Sequence, residues 1–225
     1  MGDREYAISR ADIDFDPDLP KYFQKNNFLA LVNTAKLANY QIKYDQATRM
    51  LSVLRKGKEL IKVNLSNNFE RLDLVEFLYT KLDIKRAHKL DIIRATEGTN
   101  QHSFSDLPDK VISFINLSTV KSFSEKIGLK IDPLRFRANI NFSSNIPWWE
   151  FECLNKKLKI DKVVLEVIKK TRRCAATSVN PSTAIRDINI PRYLKNNYGH
   201  TDLGVYAKVL EGGQIMVGDK IELLW

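Results

Sequence analysis

The chain has 225 residues, 44% hydrophobic and 28% charged, with 36 Lys and Arg against 27 Asp and Glu and a formal net charge of +9. That length allows one or two domains with proper cores, and no apolar run approaches the ~20 residues a membrane span needs. Two cysteines supply neither a disulfide framework nor the four thiolates of an iron–sulfur cluster, and with three histidines and no His-rich metal spacing a zinc hydrolase is not expected. The start, "MGDREYAISRAD", has no apolar signal core, so a reducing cytoplasm is the expected compartment.

The cationic excess suits nucleic acid, an anionic membrane surface or an anionic small molecule. No RNP-type aromatic strand, finger or basic reading helix accompanies it, so the expectation is no nucleic acid and no membrane partner. Basic residues are scattered, apart from short clusters at 156–162 and 169–173.

In chain order, "REYAISRADIDF" alternates and ends in the acidic turn "DPDLP". "YQIKYD" and "MLSVLRKGKELIKVNL" read as antiparallel strands, the second broken by a turn at Gly57. "NNFERLDLVEFLYTKL" changes period to a helix, with Leu74, Leu78 and Leu82 on one stripe and Phe77 beside it. Residues 94–110 are polar and turn-rich, which predicts a long functional loop and a boundary. "VISFI" is a short buried strand. "NLSTVKSFSEKIG" is a helix that Ser118 can cap and Gly128 ends. "LRFRANINF" alternates as a strand, and "LKIDKVVLEVIKK" continues the sheet. "IPRYLKNNYG" is a short helix, and "GVYAKVL", "QIMV" and "KIELL" finish the chain as strands. The expected fold is mainly β with α decoration, an α+β protein of barrel-like type.

Chemistry concentrates in two places. As a strand, "LRFRANINF" puts Arg135, Arg137, Asn139 and Asn141 on one face, either solvated or a donor-rich surface for phosphate and planar heterocycles. In "KKTRRCAATSVNP", Lys169, Lys170, Arg172 and Arg173 precede Cys174 within five positions. Nearby positive charge favours a thiolate, the form that attacks electrophiles and binds metals, although a lone cysteine can also be a small buried hydrophobe. An extended "TRRC" puts Arg172 and Cys174 on one face and Arg173 on the other. Cys153 reads as packing, and His200 as a helix cap or loop anchor. No phosphate-cradling glycine loop, G-x-S-x-G elbow or His-rich spacing is present.

Six blocks in order carry a resemblance: "HSFSDLPDKVISFINLSTV", "DPLRFRANI", "PWWEFE", "RRCAATSVNP", "GHTDLGVYAKVL" and "GGQIMVGDKIEL". Together they resemble a MOSC domain, the module of molybdenum cofactor sulfurases and amidoxime-reducing molybdoenzymes. "GDREYAI" resembles the β-rich domain that precedes it in those proteins. The resemblance implies a MOSC-type β-barrel over 94–225 and a β-rich N-terminal domain over 1–93, truncated at its start. Relatives carry an opening strand and a "P-x-K-[GS]" turn about twenty residues before the "GDR" block, and this sequence begins at Met1.

In the reductases the resemblance implies a molybdenum cofactor (molybdopterin) whose metal is bound by the cysteine matching Cys174. Arg4, Arg137 and Asn139 match residues that hold the cofactor, with Arg135 on the same segment. Arg172, Arg173 and Tyr206 complete the pocket. Ser103, Ser105 and Asp106 lie in the loop where further cofactor contacts fall. A soft thiolate suits molybdenum, and arginines suit a terminal phosphate. Two activities follow from the resemblance: an oxidoreductase that reduces N-hydroxylated compounds with an external electron-donor protein, or a sulfur carrier. The carrier would take persulfide sulfur on Cys174 from a pyridoxal-phosphate-dependent cysteine desulfurase. A pyridoxal phosphate site on this chain itself is a lesser alternative, since no lysine stands out as a Schiff-base former. A third alternative is a non-catalytic module that binds the anionic cofactor without turnover.

Overall fold

The computed structural model describes residues 4–10, 13–16, 21–95 and 104–224. The chain divides into two compact units, Met1–Pro108 with Val179–Arg186, and Asp109–Ser178 with Asp187–Trp225. Among the described residues no helix is long and apolar enough to cross a membrane.

In the first unit, β1 (Tyr6–Ser9) pairs antiparallel with β5 (Asp91–Arg94), a strand the sequence pattern had not signalled. β2 (Gln41–Asp45), β3 (Met50–Arg55) and β4 (Lys58–Asn64) form an antiparallel sheet, turned at Lys56 and Gly57, both with positive φ. Helix α1 (Asn68–Leu82) starts where Asn67 accepts from the Phe69 amide at 2.9 Å. Asn67 Oδ1 also accepts from the Glu70 amide at 3.5 Å, and the Glu70 carboxylate accepts from Asn67 Nδ2 at 3.0 Å and from the Asn64 amide at 2.7 Å, which holds the cap in place. Leu74, Leu78 and Leu82 are buried as the helical stripe predicts, and Val75 joins them. They pack with Val53, Val63 and Ile92 into this unit's core.

The second unit is built on a six-stranded sheet, in the order β11-β8-β9-β10-β6-β7, that curls as a half-barrel. Its strands are β6 (Ile112–Asn116), β7 (Ile140–Phe142), β8 (Lys157–Ile160), β9 (Val163–Arg172), β10 (Asp202–Glu211) and β11 (Ile221–Leu224). β6 and β7 are parallel, and the other pairs are antiparallel. Phe114, Leu165, Val167, Val205 and Ala207 fill the concave core, and the fully buried Cys153 packs among them. On the opposite side, Ile115 and Leu203 meet α2 (Leu117–Ile127) and α4 (Ile190–Tyr198) through Phe123 and Leu194. A single helical turn, α3 (Trp149–Glu152), precedes β8.

The mainly β, α-decorated architecture is as expected, with three local corrections. The α2 cap is Asn116, whose side chain accepts from the Ser118 amide at 3.0 Å. Ser118 instead bonds the Ser144 carbonyl. "LRFRANINF" is not one strand: Pro133–Phe136 forms a 3-10 turn, and only Ile140–Phe142 is extended. Asp132 caps that turn by accepting from Leu134 N at 2.9 Å, Pro133 presets its first φ, and Arg137 ends it in the left-handed region. Local capping chemistry overrides the alternating pattern. "QIMV" is likewise not a strand, because Asp219 accepts from Met216 N at 2.6 Å and folds the segment into a turn.

Candidate functional site

Cys174 sits one residue beyond Arg173, where β9 has ended, and its side chain is exposed and free. Its carbonyl accepts from Thr177 N at 3.1 Å and Thr177 Oγ1 at 2.8 Å, which closes the turn Ala175–Ser178 behind it. The alternation expected of "TRRC" is present: Arg172 and Cys174 are exposed, and Arg173 is buried. The two cysteines differ sharply. Burial pushes the Cys153 thiol up to about 11 and removes it from thiolate chemistry near neutrality.

Arg173 is a fastening rather than an open cation. Its Nε donates to the Leu203 carbonyl at 2.6 Å and its Nη1 to the Phe136 carbonyl at 3.2 Å, while the guanidinium lies 5.1 Å from the Phe136 ring centre. The segment ahead of Cys174 is thereby tied to the start of β10 and to the residue before Arg137. Space for the guanidinium comes from Gly204, at φ +75°, inside a bulge of β10. A Cβ there would lie 2.4 Å from Phe114 O and 2.9 Å from Arg173 Nη2. A glycine inside "DLGVYA" was the available sequence signal for that close approach.

Tyr206 and Asn139 come together through β6. Tyr206 is opposite Ser113, whose Oγ donates to Asn139 Oδ1 at 2.8 Å and accepts from Asn139 N at 3.1 Å. Ser113 N also donates to Asn139 Oδ1 at 3.0 Å, so the Asn139 side chain takes the place of a strand partner. Arg137 is exposed at φ 50° and ψ 39°, presented by the 3-10 turn. Arg135 behaves differently from its expected neighbours on a strand face. It is buried, pairs with Asp187 at 2.8 Å, and donates from Nη1 to Ser178 O at 3.2 Å. It braces the chain after Cys174 and presents no open donor surface.

The remaining predicted residues belong to the first unit. Arg4, at φ 60°, donates from Nη1 to Ser105 Oγ at 3.3 Å, and its carbonyl accepts from Phe104 N at 3.1 Å. Asp106 pairs with Lys25 at 2.6 Å. Ser103 lies outside the described residues.

His200 is a loop anchor: its Nδ1 accepts from Asp202 N at 3.1 Å, and its ring packs on Trp148, Phe151 and Tyr198. The second unit also holds a cleft of about 1120 Å³ whose walls include both sheet edges, β7 and β11. Of the polar face singled out in "LRFRANINF", Asn139 and Asn141 line it, and Arg135 and Arg137 do not. Among the described residues no group of three or more His, Cys, Asp or Glu could hold a metal ion.

A model of the MOSC domain matches residues 99–222. This is more than half of the sequence, and the chain belongs to the MOSC domain family. The half-barrel is the family's β-barrel element. One similar solved structure is YiiM from Geobacillus stearothermophilus, at 17% identity and a TM-score of 0.41. The likeness covers 51% of this chain and 54% of that one, so the chain spans about half of its length. No curated protein matches the chain significantly.

Proposed function

We propose that this MOSC protein binds molybdenum cofactor through the Cys174 thiolate and reduces N-hydroxylated compounds with electrons from a separate donor protein. The observation that carries this reading is the exposed Cys174, preceded by the exposed Arg172 and by the buried Arg173, whose Nη1 donates to the carbonyl just before the exposed Arg137. Neither Arg137 nor Arg172 has an ion-pair partner among the described residues. Unneutralised cations beside an accessible sulfur suit an anionic, metal-bearing group.

When bound, the cofactor supplies the change of oxidation state that removes oxygen from the substrate. The polypeptide supplies the rest: Cys174 is the metal's protein ligand, Arg137 and Arg172 hold anionic oxygens, and Tyr206 and Asn139 line the pocket. Arg173 sets the position of Cys174, and Arg135 holds the turn behind it. We retain 1–93 as the N-terminal β-rich domain and 94–225 as the MOSC domain.

The test is reduction of an amidoxime by the purified, cofactor-loaded chain with a chemical electron donor. Turnover that follows molybdenum content supports the reading. A molybdenum-loaded chain without turnover leaves a cofactor-binding module in its place.

The exposure of Cys174 also favours a second reading, sulfur carriage. The Cys174 thiolate would attack the terminal sulfur of a desulfurase's cysteine persulfide and release the desulfurase thiolate, with no net redox change. Incubation with a pyridoxal-phosphate-dependent desulfurase and cysteine would add 32 Da (one sulfur) to Cys174 by mass spectrometry. No added mass removes this reading.

A further inference from the structure

We infer that the free edge of β11 is an interaction surface whose partner is a second copy of this chain, paired antiparallel through Lys220, Ile221 and Glu222. The surface lies in the second unit and does not depend on the cofactor reading above. Among the described residues β11 pairs with β8 alone, and its other side ends the six-stranded sheet. That side is open: residues 215–222 form one wall of the cleft of about 1120 Å³. A sheet edge presents a row of amides and carbonyls that a further strand can take up.

Side chains alternate along this strand. Ile221 and Leu223 pack against the core of the half-barrel, whereas Lys220, Glu222 and Leu224 are exposed. A lysine on an edge strand ordinarily protects it, because two such edges repel. Here Glu222, two residues further on, removes that protection towards one kind of partner. Read antiparallel, the pattern Lys-x-Glu is its own complement. With two strands centred on Ile221, each Lys220 is opposite Glu222 of the second copy. Glu222 is also opposite Lys159 of β8, so the exposed face gains a row of alternating sign across the pair.

The charges also fix the register. Moving the centre by one residue keeps the faces matched. A centre at Lys220, however, sets lysine opposite lysine, and a centre at Glu222 sets glutamate opposite glutamate. Only the register centred on Ile221 opposes unlike charges. No proline and no inward-pointing charge blocks the strand Ile221–Leu224. Beside it, Ile215, Met216 and Val217 are consecutive, exposed and apolar, and line the same cleft. A second chain entering there has apolar surface to bury as well as an edge to pair.

The test is the mass of the purified full chain by sedimentation equilibrium at low ionic strength, where surface charges are least screened. The wild type is expected to dimerise reversibly. Lys220→Glu sets glutamate opposite glutamate, and Glu222→Lys sets lysine opposite lysine. Each is expected to raise the dimer dissociation constant at least about tenfold. An equimolar mixture of the two variants should return to within about threefold of the wild type, since every glutamate then meets a lysine. The double variant, Lys220→Glu with Glu222→Lys, exchanges the charges and should also self-associate. Both positions are exposed, so all variants should keep the wild-type circular dichroism, which separates lost pairing from lost fold.

A wild type that stays monomeric at its highest soluble concentration, as it would if the edge receives a strand of another protein, overturns the inference. So does a dimer that neither single variant weakens, or a mixture that associates no better than its components.

Discussion

Arg173 reaches from the end of β9 to the carbonyl of Phe136, 3.2 Å away, and so joins the residue before Cys174 to the residue before Arg137. The bond fixes two candidate ligand-binding groups, 37 positions apart in sequence, by one buried guanidinium. Removing it would leave the Phe136 and Leu203 carbonyls without this donor. Arg173→Met is expected to cost about 3 kcal/mol of unfolding free energy, as two bonds from a charged donor are lost. Arg173→Lys should recover little, because an ammonium cannot reproduce the fork. Urea unfolding checks both, and midpoints equal to the wild type would contradict the assignment.

Gly204 gives an independent approach to the same fastening. Alanine there would be strained at φ +75° and would meet Phe114 O at 2.4 Å. Gly204→Ala should lose at least about 2 kcal/mol and disturb the chain around Cys174. Unchanged stability would mean the β10 bulge is not needed to house the guanidinium.

Native thiol labelling should distinguish the two cysteines. Cys174 is exposed, whereas Cys153 is fully buried with its thiol raised to about 11. An alkylating reagent at pH 7.5 should modify one thiol per folded chain and two after denaturation. Cys174→Ser should show none until it unfolds. Rapid labelling of Cys153 in the native state would contradict its place in the core.

Glu150 sets a pH dependence. It is 1% exposed, accepts from Thr119 Oγ1 at 2.9 Å, and burial raises its pKa above the ordinary 4.5. A carboxyl with a raised folded pKa stabilises the fold fully below its unfolded pKa and loses that contribution as pH rises through the folded value. The wild type should therefore lose melting temperature relative to Glu150→Gln as pH rises from 4.5 towards 8. Parallel curves over that range would show that Glu150 titrates alike in both states.

Much of the fold was legible because its signals are local. The α1 stripe needs only a 3.6-residue period, and Leu74, Leu78 and Leu82 are buried accordingly. The failures came where side-chain caps outcompeted an alternating pattern, at Asp132 with Pro133 and at Asp219. The site was half legible. A cysteine behind a basic run can be read from sequence, and so can its alternation with Arg173. The partners of Arg135 and Arg173, however, are carbonyls and a carboxylate 30 to 52 residues away, and no spacing rule announces them.

The central claim is that the Cys174 sulfur is the single protein donor to a metal carried by an organic cofactor. Its most direct test is molybdenum and released pterin, measured together, in wild type and Cys174→Ser from a cofactor-producing host. The account predicts near one molybdenum and one pterin per wild-type chain, with the metal lost from the serine variant. Equal molybdenum in both proteins, or none in either, would contradict it.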